Sequence, residues 1–99
     1  MTISLTNRGT EGELLLDGRL DANTSLEVEP IFDDVCERFE RVILNMAGLD
    51  YVSSAGLRII KKFHINMVKK GGELILTNVS QVVMEVFEMT GFVSLLNIR

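Results

Sequence analysis

Strand-like and helix-like segments alternate along this chain, and that alternation limits the possible folds more than any other feature. Short apolar runs at 41–46, 73–78 and 93–98 have the length of strands. Two more short strands are predicted at 3–5 and 13–18, around the turn NRGTEG, and their closeness in sequence predicts an antiparallel pair.

Helical spacing of apolar residues fills the intervals between the later strands. It predicts helices over 26–39 and 55–70, and a third, shorter helix that Ser80 caps and Gly91 ends. The resulting order, ββαβαβαβ, predicts an α/β fold in which crossover helices cover at least one face of a mixed β-sheet. The run 41–46 does not alternate, so it is predicted to be buried on both faces, and 73–78 is predicted to be a second buried strand.

Small polar residues and glycines set the expected helix limits. Asn23, Thr24 and Ser25 are the candidate caps of the first helix, and Gly71 with Gly72 is expected to end the second. The proline of the first helix must either belong to its first turns or kink it. Three methionines at helical spacing are expected to fill the core: Met67, Met84 and Met89.

Length and charge exclude several classes of protein. Ninety-nine residues predict a single domain spanning 1–99. The net charge of −4 lacks the positive field that nucleic-acid binding requires. No signal peptide and no membrane insertion are expected, and the lone Cys36 fits a reducing compartment, so we expect a cytoplasmic protein.

Two adjacent serines, Ser53 and Ser54, follow the central strand where a helix begins. A helix N-terminus at the end of such a strand favours a negative group, and serine is also a common helix cap with no other role. Arg58 lies four residues after Ser54, on the same helix face, so it could reach a phosphate there. Ala55 and Gly56 are expected to let another surface approach the backbone closely.

Catalysis and metal binding have little support in the sequence. The single histidine, His64, would lie about 15 Å along the helix from Ser54, too far to act as its base. The acidic cluster at 33–40 has no second set of ligands, so we expect no metal, no cofactor and no enzymatic activity. The acidic first helix and basic second helix could steer a partner or be two ordinary solvated faces.

The segments LLLDGRLDANTS, VILNMAGLDYVSSAGLRIIKKF and KKGGELILTNVSQVVMEVFEMTGF together resemble the STAS domain, and specifically the bacterial anti-sigma factor antagonists. The resemblance runs from about Leu14 to the C-terminus. It implies a binding module in which an unphosphorylated antagonist binds an anti-sigma factor that is also a serine kinase. Phosphorylation of a serine at the helix start then releases the partner, and a serine phosphatase reverses the change.

The same resemblance places the phosphorylated serine at Ser54. This chain departs from the family at Ser53, where many members have aspartate, so Ser53 stays an alternative phosphate acceptor. Asp21 and Thr24 match the family loop beside that site. The implied partner-binding set is Asp21, Thr24, Ser53, Ser54, Ala55, Gly56, Leu57 and Arg58. The alternatives are a phosphorylation-independent STAS scaffold or a subunit of a membrane transport system, and a small-molecule binder; self-association stays open.

Overall fold

The computed structural model describes residues 1–99 and contains five strands and four helices. In chain order they are β1 (Thr2–Arg8), β2 (Glu11–Leu20), α1 (Ala22–Arg38), β3 (Arg41–Val52), α2 (Ser54–Lys69), β4 (Glu73–Thr77), α3 (Gln81–Thr90), α4 (Phe92–Leu95) and β5 (Asn97–Ile98). None of the helices has the length and apolar character needed to cross a membrane.

The strands form one mixed sheet in the order β1-β2-β3-β4-β5, as the predicted fold class requires. β1 is antiparallel to β2, and every later pair of neighbours is parallel. All parallel connections therefore step in the same direction across the sheet. Because such crossovers are right-handed, the helices lie on one face.

The helix-covered face carries the core. Leu14, Leu44 and Leu76 are fully buried in one cluster that also includes residues of α1, α2 and α3. Leu15, Ile43 and Ile75 point to the opposite face and lie outside that cluster.

The prediction that 41–46 is buried on both faces is wrong, because Ile43 and Asn45 are only half-buried on the face that has no helices. The strand at 73–78 is buried as predicted: Leu74, Ile75 and Leu76 are all inaccessible. We call this face without helices the open face. On it, Arg41 forms ion pairs with Glu11 at 3.4 Å and with Glu73 at 3.3 Å.

The first helix begins earlier than predicted. Asp21 is its N-cap, so the candidates Asn23, Thr24 and Ser25 lie inside the helix. Pro30 lies beyond the first turns of α1, which continues past it to Arg38, so of the two alternatives the kink stays a prediction. It lies on the exposed side, where solvent can satisfy the carbonyl group that has no N–H partner.

The end of the chain differs from the predicted strand over 93–98. Gly91 ends α3 in a left-handed conformation with φ of +80°, and the backbone then forms the short helix α4. Val93 and Leu95 are exposed, and only Leu96 of this run is buried. Met89 is also 88% exposed, so its predicted core role is wrong, whereas Met67 is fully buried.

Aromatic stacking and ion pairs join α1 to α2. The rings of Phe32 and Phe63 stack with centroids 4.4 Å apart. Lys62 on α2 pairs with Glu29 of α1 at 3.0 Å and with Asp33 at 3.4 Å. Part of the opposite charge on these two helices is thus paired within the molecule.

Candidate functional site

Two loops meet at the carboxyl edge of the sheet. β2 ends at Leu20 and β3 ends at Val52, and the Leu20 carbonyl accepts a hydrogen bond from the Ser53 N–H at 2.8 Å. A Cβ atom on Gly56 would lie 2.8 Å from Cγ of Leu20 and 2.9 Å from its carbonyl oxygen. Gly56 is therefore buried against β2 of its own chain, and its predicted role in partner binding stays a prediction.

The two serines have different environments. Ser53 is the N-cap of α2, half-buried, and its Oγ accepts the Gly56 N–H at 3.2 Å. Ser54 is the first residue of the helix and is exposed, and its hydroxyl has no partner within the protein. The chain thus presents one free hydroxyl at the start of α2.

Asp21 and Thr24 hold the neighbouring loop in shape. The Asp21 carboxylate accepts the N–H groups of Asn23 and Thr24, each at 3.0 Å, and the Thr24 hydroxyl accepts the Asp21 N–H at 2.9 Å. The hydrogen bond from the Thr24 backbone lowers the pKa of Asp21. Both residues are half-buried, so each shows part of its surface at the start of α1.

Two other predicted contact residues lie on the second helix. The side chain of Leu57 is 7% exposed and packs in the core, because its position follows the buried stripe of α2; its role in partner binding stays a prediction. The side chain of Arg58 is 62% exposed, and it pairs with Glu29 at 3.5 Å. Of the predicted set, Ser54 and Arg58 are the most accessible.

Two accessible apolar side chains beside these loops were not predicted. Leu26 is 73% exposed and lies one turn before Glu29, just as Ser54 lies one turn before Arg58. The Glu29–Arg58 ion pair therefore places Leu26 and Ser54 at the same end of the helix pair. The sequence does contain one signal for the exposure of Leu26, since this residue falls outside the apolar stripe of its helix.

The second of these side chains is Tyr51, which is 37% exposed directly before the α2 start. The guanidinium carbon of Arg19 lies 4.1 Å from the centre of its ring. This is a cation–π contact between neighbouring residues at the ends of β2 and β3. The free hydroxyl of Ser54, the guanidinium group of Arg58 and the side chain of Leu26 therefore lie at one end of the helix pair, and Tyr51 lies with Arg19 at the ends of β2 and β3.

A family model described as the STAS domain matches residues 4–99. The chain belongs to the STAS domain family. Both the fold class and the family resemblance predicted from the sequence are confirmed.

Two relatives of this STAS domain share part of its sequence. A protein of Bordetella bronchiseptica, BtrV, assigned as an anti-sigma factor antagonist, is 44% identical over 55 residues, 56% of this chain and 47% of the relative. An anti-sigma F factor antagonist of Paenibacillus polymyxa is 29% identical over 85 residues, 84% of this chain and 73% of the relative. The match to BtrV thus spans about half the length of that protein.

Solved structures share the fold of this STAS domain at low identity. SpoIIAA, an anti-sigma factor antagonist solved in unphosphorylated and phosphorylated forms, has a TM-score of 0.77 for both, with 17% and 18% identity. These matches cover 99% of this chain and 87% or 91% of the other. A sulfate transporter family protein of Wolinella succinogenes has a TM-score of 0.78 at 19% identity, covering 89% of this chain and 72% of the other. The fold alone therefore does not separate antagonists from transport proteins.

Proposed function

We propose that this STAS domain is an anti-sigma factor antagonist controlled by phosphorylation of Ser54. Its partner is an anti-sigma factor that is also a serine kinase, and a serine phosphatase restores the binding form. The names of the two relatives support the antagonist role. In this role the chain is a binding module and a kinase substrate, without catalytic residues of its own.

The observation that carries the assignment is the difference between the two serine hydroxyls. The Ser53 oxygen accepts the Gly56 N–H, and its backbone N–H is bonded to Leu20. A phosphate on Ser53 would disturb the cap of α2, whereas Ser54 projects into solvent. A kinase can therefore reach Ser54 without unfolding the helix start.

Charge explains how the modification would release the partner. The unmodified Ser54 hydroxyl is neutral, and the exposed Leu26 lies at the same end of the helix pair, so burying them in an interface loses little hydration energy. A phosphoserine carries between one and a half and two negative charges, and these must be desolvated if the same surface is buried. A penalty of about 3 kcal/mol would lower the affinity roughly a hundredfold.

The free protein should tolerate the phosphate well. It would lie in the first turn of α2, where a negative charge interacts favourably with the helix dipole. Arg58, one turn later, could exchange its contact with Glu29 for one with the phosphate. The switch therefore acts on the interface and does not require a different fold.

The acceptor is tested by phosphorylation with the cognate kinase and ATP, followed by mass spectrometry. We expect one phosphate on the wild type and on Ser53→Ala, and none on Ser54→Ala. Full phosphorylation of Ser54→Ala would contradict the assignment and favour Ser53.

The charge mechanism is tested by measuring kinase affinity by calorimetry. Ser54→Asp should bind roughly a hundredfold more weakly than wild type, while the neutral, similarly shaped Ser54→Asn should stay within about tenfold. Equal affinities of Ser54→Asp and Ser54→Asn, together with no phosphate on either serine, would instead support a phosphorylation-independent scaffold or a transport subunit. The observation that supports this alternative is the fold shared with the Wolinella protein.

A further inference from the structure

One edge of the sheet is formed by β1, which hydrogen-bonds to β2 alone. The pairing runs without a register shift from Thr2 opposite Asp17 to Arg8 opposite Glu11. The outward backbone N–H and C=O groups of this seven-residue strand have no partner strand. The other edge, β5, is only two residues long and offers no comparable template.

β1 lacks the features that usually keep an exposed edge from pairing. Natural edge strands carry lysine, proline or a bulge to prevent association. β1 has none of these, and its exposed side chains on the open face are the small, uncharged Thr2, Ser4 and Thr6. Its one charged residue, Arg8, lies at the end of the strand and forms an ion pair with Glu13 of β2 at 2.9 Å.

The helix-side residues of β1 are incompletely covered. Ile3 and Leu5 pair with Leu16 and Leu14, which are fully buried, yet both remain half-buried at the margin of the core. A strand added beside β1 would cover them further. The hydrophobic effect therefore favours adding such a strand.

We propose that β1 pairs antiparallel with β1 of a second copy of this chain, with Ser4 on the two-fold axis. This register places Ile3 opposite Leu5 of the second copy on the helix side. It places Thr2 opposite Thr6 of the second copy on the open side. Positions 2–6 then each meet a residue of similar kind, and the two sheets join into a continuous one of ten strands.

Neighbouring registers match less well. A shift of one residue would bring helix-side residues opposite open-side residues, because side chains alternate between the faces. A shift of two with Leu5 on the axis would place Ile3 opposite the exposed Asn7. The opposite shift, with Ile3 on the axis, would pair positions 1–5 only and leave the second half of β1 without a partner. The register centred on Ser4 is therefore the one that the strand favours. No residue of β1 belongs to the partner-binding set around Ser54, so this inference is independent of the proposed function.

Site-specific crosslinking tests the register. Residues directly opposite in an antiparallel pair have Cβ atoms about 5 Å apart, within reach of a disulfide after slight adjustment. Ser4→Cys should form a covalent dimer under mild oxidation, whereas Thr2→Cys or Thr6→Cys alone should not. A mixture of Thr2→Cys and Thr6→Cys should crosslink. Wild type is the control for Cys36, which is buried, and Ser94→Cys is the control for an exposed cysteine elsewhere.

Sedimentation equilibrium tests the association itself. Wild type should show a concentration-dependent dimer, and Ser4→Lys should weaken it by about tenfold or more because two ammonium groups would meet at the axis. Ser94→Lys should leave the dimer unchanged, and thermal unfolding should show that both variants fold. A wild type that stays monomeric at the highest soluble concentration overturns the proposal, as does crosslinking of Ser4→Cys no greater than that of Ser94→Cys.

Discussion

At the scale of single residues, the site depends on which atoms already have partners. Ser53 and Ser54 are chemically identical neighbours, yet one hydroxyl is used by the helix cap and the other is free. The role of Gly56 also depends on its contacts, since its missing side chain lets α2 approach Leu20. Substitutions at these positions should therefore have effects that residue type alone does not predict.

Ser53→Ala removes the side-chain acceptor of the α2 cap. We expect the free energy of unfolding, measured by urea denaturation, to fall by about 1 kcal/mol, as for other N-caps. Ser54→Ala is the matched control and should change stability by less than about 0.5 kcal/mol, because its hydroxyl has no intramolecular partner. Equal losses for the two variants would mean that the cap has been assigned to the wrong serine.

Gly56→Ala should destabilise the protein although alanine is the better helix former by about 1 kcal/mol. The new Cβ would lie under 3 Å from Leu20, so the backbone or that side chain must move, at a net cost of about 1–3 kcal/mol. The measurement is again the free energy of unfolding. A stabilised variant would show that the α2–β2 contact is looser than the structure indicates.

At the scale of elements, α1 and α2 are joined by aromatic packing and by charge. Phe32 stacks on Phe63 in the interior, while Glu29 lies between Arg58 and Lys62 at the surface. Hydrogen bonding to Lys62 lowers the pKa of Glu29, and the same bond raises the pKa of Lys62. Part of the exposed surface next to Ser54 is thus held by an ion pair that depends on pH.

The pH dependence of this ion pair follows from the directions of the two pKa shifts, downward for Glu29 and upward for Lys62. The contribution of Glu29 is complete above the ordinary glutamate pKa and is lost as pH falls through the lowered value. The contribution of Lys62 is complete below the ordinary lysine pKa and is lost as pH rises through the raised value. A double-mutant cycle of Glu29→Gln and Lys62→Met should show favourable coupling in unfolding at neutral pH, and none in acid once Glu29 is protonated.

Salt and a neighbouring lysine provide controls for this cycle. The coupling should weaken in high salt, since both side chains are partly exposed. Lys61 is exposed and makes no ion pair, so the cycle of Glu29→Gln with Lys61→Met should show no coupling. Coupling of equal size in both cycles would point to a general charge effect and not to the Glu29–Lys62 contact.

At the scale of the whole molecule, one core connects the sheet to three helices. A single cluster contains buried residues of β2, β3, β4, α1, α2 and α3. Nothing in this arrangement separates the candidate site from the rest of the domain, because Leu20, Val52 and Leu57 belong to the same cluster. The loops that carry Ser54 are therefore anchored by the core of the domain.

This common core predicts one cooperative unfolding transition. Tyr51, the single tyrosine, reports on the site by fluorescence, and far-UV circular dichroism reports on the helices. The two signals should change at the same urea concentration. An earlier tyrosine transition would show that the site opens separately, and the switch would then involve local unfolding as well as surface charge.

Much of the fold could be predicted because its signals are local. Helical spacing gave α2 and α3 nearly to their ends, and the caps Ser80 and Gly91 were predicted from residue type. Errors arose where several polar residues compete for one cap, as at the start of α1, or where an apolar run such as 93–96 forms a helical turn with little burial. The candidate site was located by a motif, but its free and buried members were not separated.

The sequence by itself determined the family and the order of all elements except α4, because periodicity and motifs act over a few residues. Only the tertiary structure decided that Gly56 packs against Leu20, that Leu26 and Ser54 lie at the same end of the helix pair, and that the edge of β1 is uncovered. Each of these depends on contacts between segments far apart in the chain, such as Leu20 with Ser53. Packing between distant segments, which no local pattern encodes, therefore selects the surface through which this domain can act.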